Sequence, residues 1–283
     1  MLFLIIPVHN RRDVTRACLS HIQNLNLTNI NIVIVDDGST DGTGEMISND
    51  FPSVTVLSGD GNLWWTGAIA LGMEYAYNNG ANYFLWLNDD CLMEPNSIAK
   101  MLSLGNLHPS SIISPAIFYT DSTHPAETGF TIGKCNQVDN DSNLRQVHGV
   151  SGFCVLIPRC VYESIGVPDY TRFPHYGGDC MYTLRAHRAG FNVYIAKDAT
   201  ATLADITPDR YGFSKFTERK SSLYSSIKKM LFSIKSPYNM KTRYHYFTYK
   251  YGITIGIGCF IVKYFVWLAA LVTYRMHLKV IKD

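Results

Sequence analysis

Two adjacent carboxylates, Asp89 and Asp90, close the run Tyr83-Phe-Leu-Trp-Leu-Asn88. Neighbouring carboxylates repel each other and resist desolvation, so they persist beside a buried segment most easily with a cation near them. Two hard oxygen ligands with room for phosphate oxygens describe a Mg²⁺ or Mn²⁺ site shared with a nucleotide diphosphate. The plainer reading is an acidic turn in which Asp89 caps the helix after Pro95. The pattern recurs, however. Asn10, Asp37 and Asn62 each follow a short apolar stretch, as Asn88-Asp-Asp90 does. One acidic turn is common, whereas four polar strand ends in succession mark the rim of a ligand crevice.

The elements that must position these residues follow from hydrophobic patterning. Leu2–Pro7, Ile30–Val35, Val54–Leu57 and Tyr83–Leu87 are short apolar runs of the kind buried in the middle of a parallel sheet. Helices fall between them: one opens near Arg12-Asp13, one is capped by Ser39, Thr40 or Asp41 after the Gly38 turn, and one runs from Ala68 to Asn79. Strand and helix alternating at this spacing predict a doubly wound α/β fold with a mostly parallel, Rossmann-like sheet. Further on, a helix follows Pro95 and a strand covers Ile112–Phe118. Residues 119–145 are polar and turn-rich, with Thr128–Gly133 their best strand. Val150–Ile157 reads as a buried strand kinked at Gly152, a helix opens at Asp179 and stops at Gly190, and Asn192–Ile195 is a last strand.

A hydrophobic share of 47% excludes a disordered chain, and 283 residues suffice for one large domain with an appendage. The seven cysteines are odd in number and lack a Cys-x-x-Cys pair, which argues for a reducing compartment rather than a disulfide or zinc framework. The opening Met-Leu-Phe-Leu-Ile-Ile-Pro reads as a first strand, not a leader. Charge is lopsided. Residues 1–209 carry 11 Lys+Arg against 21 Asp+Glu, and residues 210–283 carry 14 against 2. The chain therefore divides into a body, 1–210, and a basic, apolar helical tail, 211–283. Within the tail Ser214–Lys235 is a basic amphipathic stretch, and Gly252–Tyr274 is long enough to span a bilayer but holds Lys263 near its middle. The tail is expected to sit peripherally on the cytoplasmic face of an inner membrane, with Lys263 reaching the headgroups. A true span and a homo-oligomer interface are the rival readings, and no nucleic-acid partner is expected.

Taken together, Pro7-Val-His-Asn10, Asp36-Asp-Gly-Ser39, Asn88-Asp-Asp90 and Gly177-Gly-Asp179 with Leu184-Arg-Ala-His-Arg-Ala-Gly190 resemble family 2 of the GT-A glycosyltransferases, in order and spacing, over roughly residues 1–205. Asn62-Leu-Trp-Trp-Thr-Gly-Ala68 is similar to a subgroup containing bacterial rhamnosyl- and galactofuranosyltransferases of surface polysaccharide assembly. The resemblance implies a GT-A fold and inverting transfer from a nucleotide-diphosphate sugar to a saccharide or polyprenyl-linked acceptor. It puts Pro7, His9, Asn10 and Asp37 around the base, where the Asp37 carboxylate would accept the imide N–H of uracil or thymine. Asn62, Gly67, Asn88 and Asp89 fall beside the donor, Asp90 becomes the metal ligand, and Asp179 becomes the general base. Trp65 and Trp64 are a sugar-stacking platform or core aromatics, and His175, Arg185 and Arg188 are candidates for the acceptor. The chain departs from the family pattern in three places. Asn88 replaces the first acid of the Asp-x-Asp motif, Gly178 replaces the Glu of the Glu-Asp pair, and no His follows the last strand, leaving only Asp205 as a substitute. Those departures keep a rival alive: a sugar-nucleotide binder or scaffold subunit without turnover. A nucleotidyltransferase fits less well, because Pro7–Asn10 offers no glycine for a phosphate loop.

Overall fold

The computed structural model describes residues 1–25, 27–120, 122–133, 143–203 and 222–280. They fall into two units. One contains Met1–Pro174 and the described residues from Gly178 to Leu203, and the other contains His175–Gly177 and the described residues from 222 onward. Asp205 and residues 214–221 of the expected amphipathic helix lie outside the described residues.

The first unit is built on a parallel block. Strands β1 (Leu2–Val8), β2 (Ile30–Asp36), β3 (Thr55–Ser58) and β4 (Tyr83–Leu87) lie side by side in the order β3-β2-β1-β4. The helices between them are α1 (Arg12–Asn24), α2 (Thr43–Asp50) and α3 (Trp64–Asn78). Alternate residues of β1 enter different cores, as the two-residue side-chain period of a strand requires. Leu2, Leu4, Ile6 and Val8 join Cys18 and Leu19 of α1 and Ile47 of α2, whereas Phe3 and Ile5 join Ile69 and Met73 of α3. Burial on both faces explains why these strands read as continuous apolar runs rather than as alternating ones.

Beyond β4 the sheet turns mixed. β10 (Cys154–Pro158) lies antiparallel between β4 and β6 (Ser111–Tyr119), and β11 (Asn192–Leu203) runs parallel to β6. β5 (Cys91–Met93) and β8 (Leu144–Val147) pair antiparallel with β11, while β7 (Gly129–Phe130) and β9 (Gly149–Val150) form a separate ribbon. Three expectations are corrected. The strand expected to end at Ile195 continues to Leu203 because a register shift between Ala196 and Thr200 absorbs the polar Lys197-Asp198 step. The strand expected to run kinked through Gly152 is broken there into β9 and β10. The strand expected over Thr128–Gly133 keeps only two residues of ladder. The remaining helices of the unit are α4 (Ser97–Leu107), α5 (Arg159–Ile165) and α6 (Gly178–Arg188).

The second unit is helical: α7 (Leu223–Phe232), α8 (Met240–Tyr251) and α9 (Ile253–Val280). Ser222 caps α7 by accepting the Ser225 N–H at 3.1 Å, and Asn239 caps α8 by accepting that of Thr242 at 3.1 Å. Met230, Tyr238 and Leu271 form its small core.

The entry into α6 shows why residue 178 is glycine. A Cβ there would stand 2.3 Å from Thr66 Oγ1 on α3, so any larger residue forces the two helices apart. Gly178→Ala is expected to cost about 1–3 kcal/mol in denaturant unfolding, with a smaller loss in a Thr66→Ala background. Equal losses in both backgrounds would contradict the contact.

Candidate functional site

Because β1, β2, β3 and β4 are parallel, their carboxyl ends and the loops that follow share one edge of the sheet. The loops after β1 and β2 are tied together by hydrogen bonds. Ser39 Oγ accepts the Asn10 N–H at 2.8 Å, Asn10 Oδ1 accepts the Thr40 N–H at 2.8 Å, and His9 Nδ1 lies 2.6 Å from the Asp37 carbonyl. The carbonyl can only accept, so Nδ1 carries the proton in that bond. Pro7 is half-buried in β1, and His9 and Asn10 are exposed.

Asp37 has a structural task that the sequence did not show. Its carboxylate is buried and receives three backbone N–H groups, from Gly61 at 2.8 Å, Leu63 at 3.1 Å and Trp64 at 2.8 Å. The side chain thus shapes the loop before α3, and the imide of a base would have to compete with those donors. That loop carries strain: Trp64 has φ of 55°, which a non-glycine side chain seldom adopts. Asn62 is exposed on the loop, while Gly67 is buried in the first turn of α3 against Leu63 and Tyr170.

The end of β4 splits its three polar residues among three partners. Asn88 Oδ1 accepts the Trp65 indole N–H at 2.7 Å. Asp89 turns inward, where Thr15 donates to Oδ2 at 3.1 Å and Arg11 Nε lies 3.1 Å from Oδ1. Asp89 is 4% exposed and ties β4 to the start of α1. Desolvation pushes its carboxyl up to about 6, against the opposing pull of Arg11 and Thr15. Asp90 faces outward, its side chain 38% exposed, and receives Arg11 Nη2 on Oδ2 at 3.0 Å. Its Oδ1 has no hydrogen-bond partner among the described residues. A partly exposed carboxylate with an uncommitted oxygen suits a hard divalent cation that takes its other ligands from a diphosphate. Among the described residues no group of three or more His, Cys, Asp or Glu side chains gathers to hold a metal.

Asp179 lies at the start of α6. Its Oδ2 accepts the Gly152 N–H at 2.7 Å, and Oδ1 accepts the Cys180 N–H at 2.7 Å. Desolvation raises the carboxyl above its ordinary value, and those two donors pull part of the way back. The break between β9 and β10 now has a cause. A Cβ on Gly152 would stand 2.5 Å from Trp65 and 2.8 Å from the Asp179 side chain, so the bare backbone is what lets the indole and the carboxylate approach each other. Trp65 thus joins Asn88 of the β4 terminus to the Gly152–Asp179 pair, while its ring packs edge-on against buried Trp86 with centroids 5.7 Å apart. Thr183 fixes the first turn of α6: its Oγ1 donates to the Asp179 carbonyl at 3.0 Å and accepts the Val150 N–H at 3.0 Å.

The residues expected at the acceptor have the following surroundings. Arg185 Nη2 donates to the Ile165 and Val167 carbonyls, at 2.8 and 2.6 Å, and so holds the segment after α5. His175 belongs to the second unit, stacked edge-on against Tyr176 with centroids 4.6 Å apart. Arg188 is exposed on α6. Arg11, Thr15, Thr66, Gly152 and Thr183 were missed as site-building residues. Only Arg11, a base directly after Asn10, carried a signal in the sequence.

A model of the family described as Glycosyl transferase family 2 matches residues 3–166. The galactofuranosyltransferase GlfT1 of Mycolicibacterium smegmatis is 22% identical over 183 residues, covering 60% of this chain and 60% of that protein. S. aureus TarS in complex with UDP-GlcNAc superposes with a TM-score of 0.56 at 11% identity, over 74% of this chain and 59% of that one. GalNAc-T7 with UDP, GalNAc and Mn²⁺ gives a TM-score of 0.59 at 14% identity, over 88% of this chain and 50% of that one. This chain thus spans between half and two thirds of the length of each. The strand-end motifs and the family match over more than half of the sequence agree: the chain belongs to glycosyl transferase family 2.

Proposed function

We propose that the chain transfers a sugar from a nucleotide-diphosphate donor to a saccharide or polyprenyl-linked acceptor, with inversion at the anomeric carbon. The observation that carries this reading is the contact chain from Asn88 through Trp65 to Gly152 and Asp179, which holds a base at the same sheet edge as the outward carboxylate of Asp90. Inverting transfer needs such a carboxylate. A positioned base takes the proton of the acceptor hydroxyl as that oxygen attacks C1 from the face opposite the diphosphate. The raised proton affinity of Asp179 suits the task, since a base works best when its pKa approaches the working pH. Its two backbone donors hold it in one orientation, so the lone pair left for the acceptor is aimed before substrate arrives.

At the other end of the donor, Asp90 would hold Mg²⁺ or Mn²⁺. The bound cation would supply positive charge to the departing diphosphate. Arg11, 41% exposed, adds a second charge at that edge. Asn88 fixes the half-buried Trp65 indole, which offers an aromatic surface for a sugar ring. A UDP- or dTDP-sugar is the donor class, with galactofuranose or rhamnose as the sugar. A galactofuranosyltransferase among the relatives, and UDP or UDP-GlcNAc bound by two proteins of the same fold, support that choice. The product belongs to bacterial surface polysaccharide such as O-antigen or capsule, made at the cytoplasmic face of the inner membrane.

Asp179→Asn removes the proton acceptor but keeps an oxygen for the Gly152 N–H. Turnover is expected to fall by about 10²–10⁴-fold while UDP binding stays as in the wild type, and the new NH₂, which faces one of the two backbone donors, is expected to lower the melting temperature slightly. Undiminished transfer would take Asp179 out of the mechanism. For Asp90→Asn, calorimetric titration with UDP should show the Mn²⁺-dependent gain in affinity lost and the metal-free affinity preserved. An intact Mn²⁺ effect would place the cation elsewhere.

A further inference from the structure

Helix α9 has two unlike long faces. Tyr264, Trp267 and Leu271 turn toward α7 and α8, where they meet Met230, Tyr238 and Phe247, and the Tyr264 hydroxyl donates to the Tyr238 carbonyl at 2.5 Å. Near its end Arg275 donates to the Ser222 carbonyl and to Ser226 Oγ. The other face carries Ile261, Val262, Phe265, Val266 and Val272, spaced to form one stripe and exposed, Phe265 to 72%. Even Thr273 hides its hydroxyl there by donating to the Ala269 carbonyl one turn back. The 23 residues Ile253–Arg275 are long and apolar enough to cross a membrane, yet only 17% of the most apolar stretch is buried within the protein.

We propose that this stripe docks α9 in the plane of an anionic lipid bilayer, as an interfacial helix rather than a span. Three observations carry it. First, the inward face is already committed to α7 and α8. Inserting α9 across a bilayer would strip off that aromatic packing, or drag the exposed Lys228, Lys229 and Lys241 of those helices into hydrocarbon. Second, residues 222–280 hold nine Lys and Arg and not one Asp or Glu. An apolar stripe in so cationic a unit complements lipid of negative charge and would be repelled by a second, equally cationic copy. Third, exposed Lys263 lies within the apolar sequence. In a span it would sit near the middle of the hydrocarbon, whereas along the interface its stem lies on the apolar boundary and its ammonium reaches the phosphates. The inference deepens the membrane-associated part of the proposed function and is independent of the glycosyl-transfer chemistry.

The test uses the full chain, translated cell-free with preformed vesicles of phosphatidylglycerol and phosphatidylcholine. Cosedimentation is expected with these vesicles, to weaken in salt, and to be lost with phosphatidylcholine alone. Val262→Asp and Phe265→Asp, both on the exposed stripe, should lower binding about tenfold or more without changing the melting temperature. Cysteines placed at either end, Tyr251→Cys and Lys279→Cys, should both react with an impermeant thiol reagent added outside, read by peptide mass. Protection of one end alone would make α9 a span and overturn the in-plane docking while leaving membrane association standing. No binding to either vesicle would overturn both. A lipid-free dimer that Val262→Asp dissociates would give the stripe to a second copy instead.

Discussion

A carboxylate withdrawn from water must spend its lone pairs on donors or on a cation. That constraint sorts the acids at the sheet edge. Asp37 is filled by three loop N–H groups, and Asp89 by Arg11 and Thr15. Asp179 takes two backbone N–H groups and keeps the rest of its lone pairs, and Asp90 faces outward with one oxygen uncommitted. The first two hold the loop before α3 and the start of α1 in place. Asp89 also takes only two side-chain donors, and its 4% exposure rather than a lack of lone pairs withholds it from a substrate or an ion. Removing either inward carboxylate would leave buried donors without partners, so the shape of the site depends on residues that need never touch substrate.

Much of the fold was legible in the sequence because the parallel strands are buried on both faces. Continuous runs such as Leu2–Val8 and Tyr83–Leu87 carry that burial in their composition. The mixed half was less legible. β5, β8 and α5 are short, and their places are set by pairing with β11 and packing on β10, not by a pattern within themselves. At the site, residue types pointed to the right edge of the sheet but not to the division of labour. Asp37 and Asp90 look alike in sequence, and only the donors around them tell a loop-shaping carboxylate from an outward one. Gly178 looked like a loss, the family's Glu replaced by nothing. The structure gives it a reason in the Thr66 side chain that occupies the space. Arg185 gave no sign in the sequence that its Nη2 would donate to two carbonyls of the segment after α5.

The two units divide the work along the charge boundary of the chain. The acidic body holds the sheet edge and its carboxylates, and the basic helices carry an apolar stripe that is exposed among the described residues. Members of a glycosyltransferase family that build lipid-linked polymers must meet a soluble donor and a membrane-bound acceptor. On the proposed reading, chemistry in one unit and lipid affinity in the other would meet both demands without a change in the sheet.

The central claim is that one donor lies between Asp90 and Asp179. A crystal structure of the chain with UDP and Mn²⁺, phased to show the anomalous signal of manganese, tests it most directly. The account predicts a manganese peak against the Asp90 carboxylate, the β-phosphate beside it, and the Asp179 carboxylate facing the open position beyond that phosphate. A manganese peak away from Asp90, or a nucleotide lying where Asp179 cannot face its terminal phosphate, would contradict it.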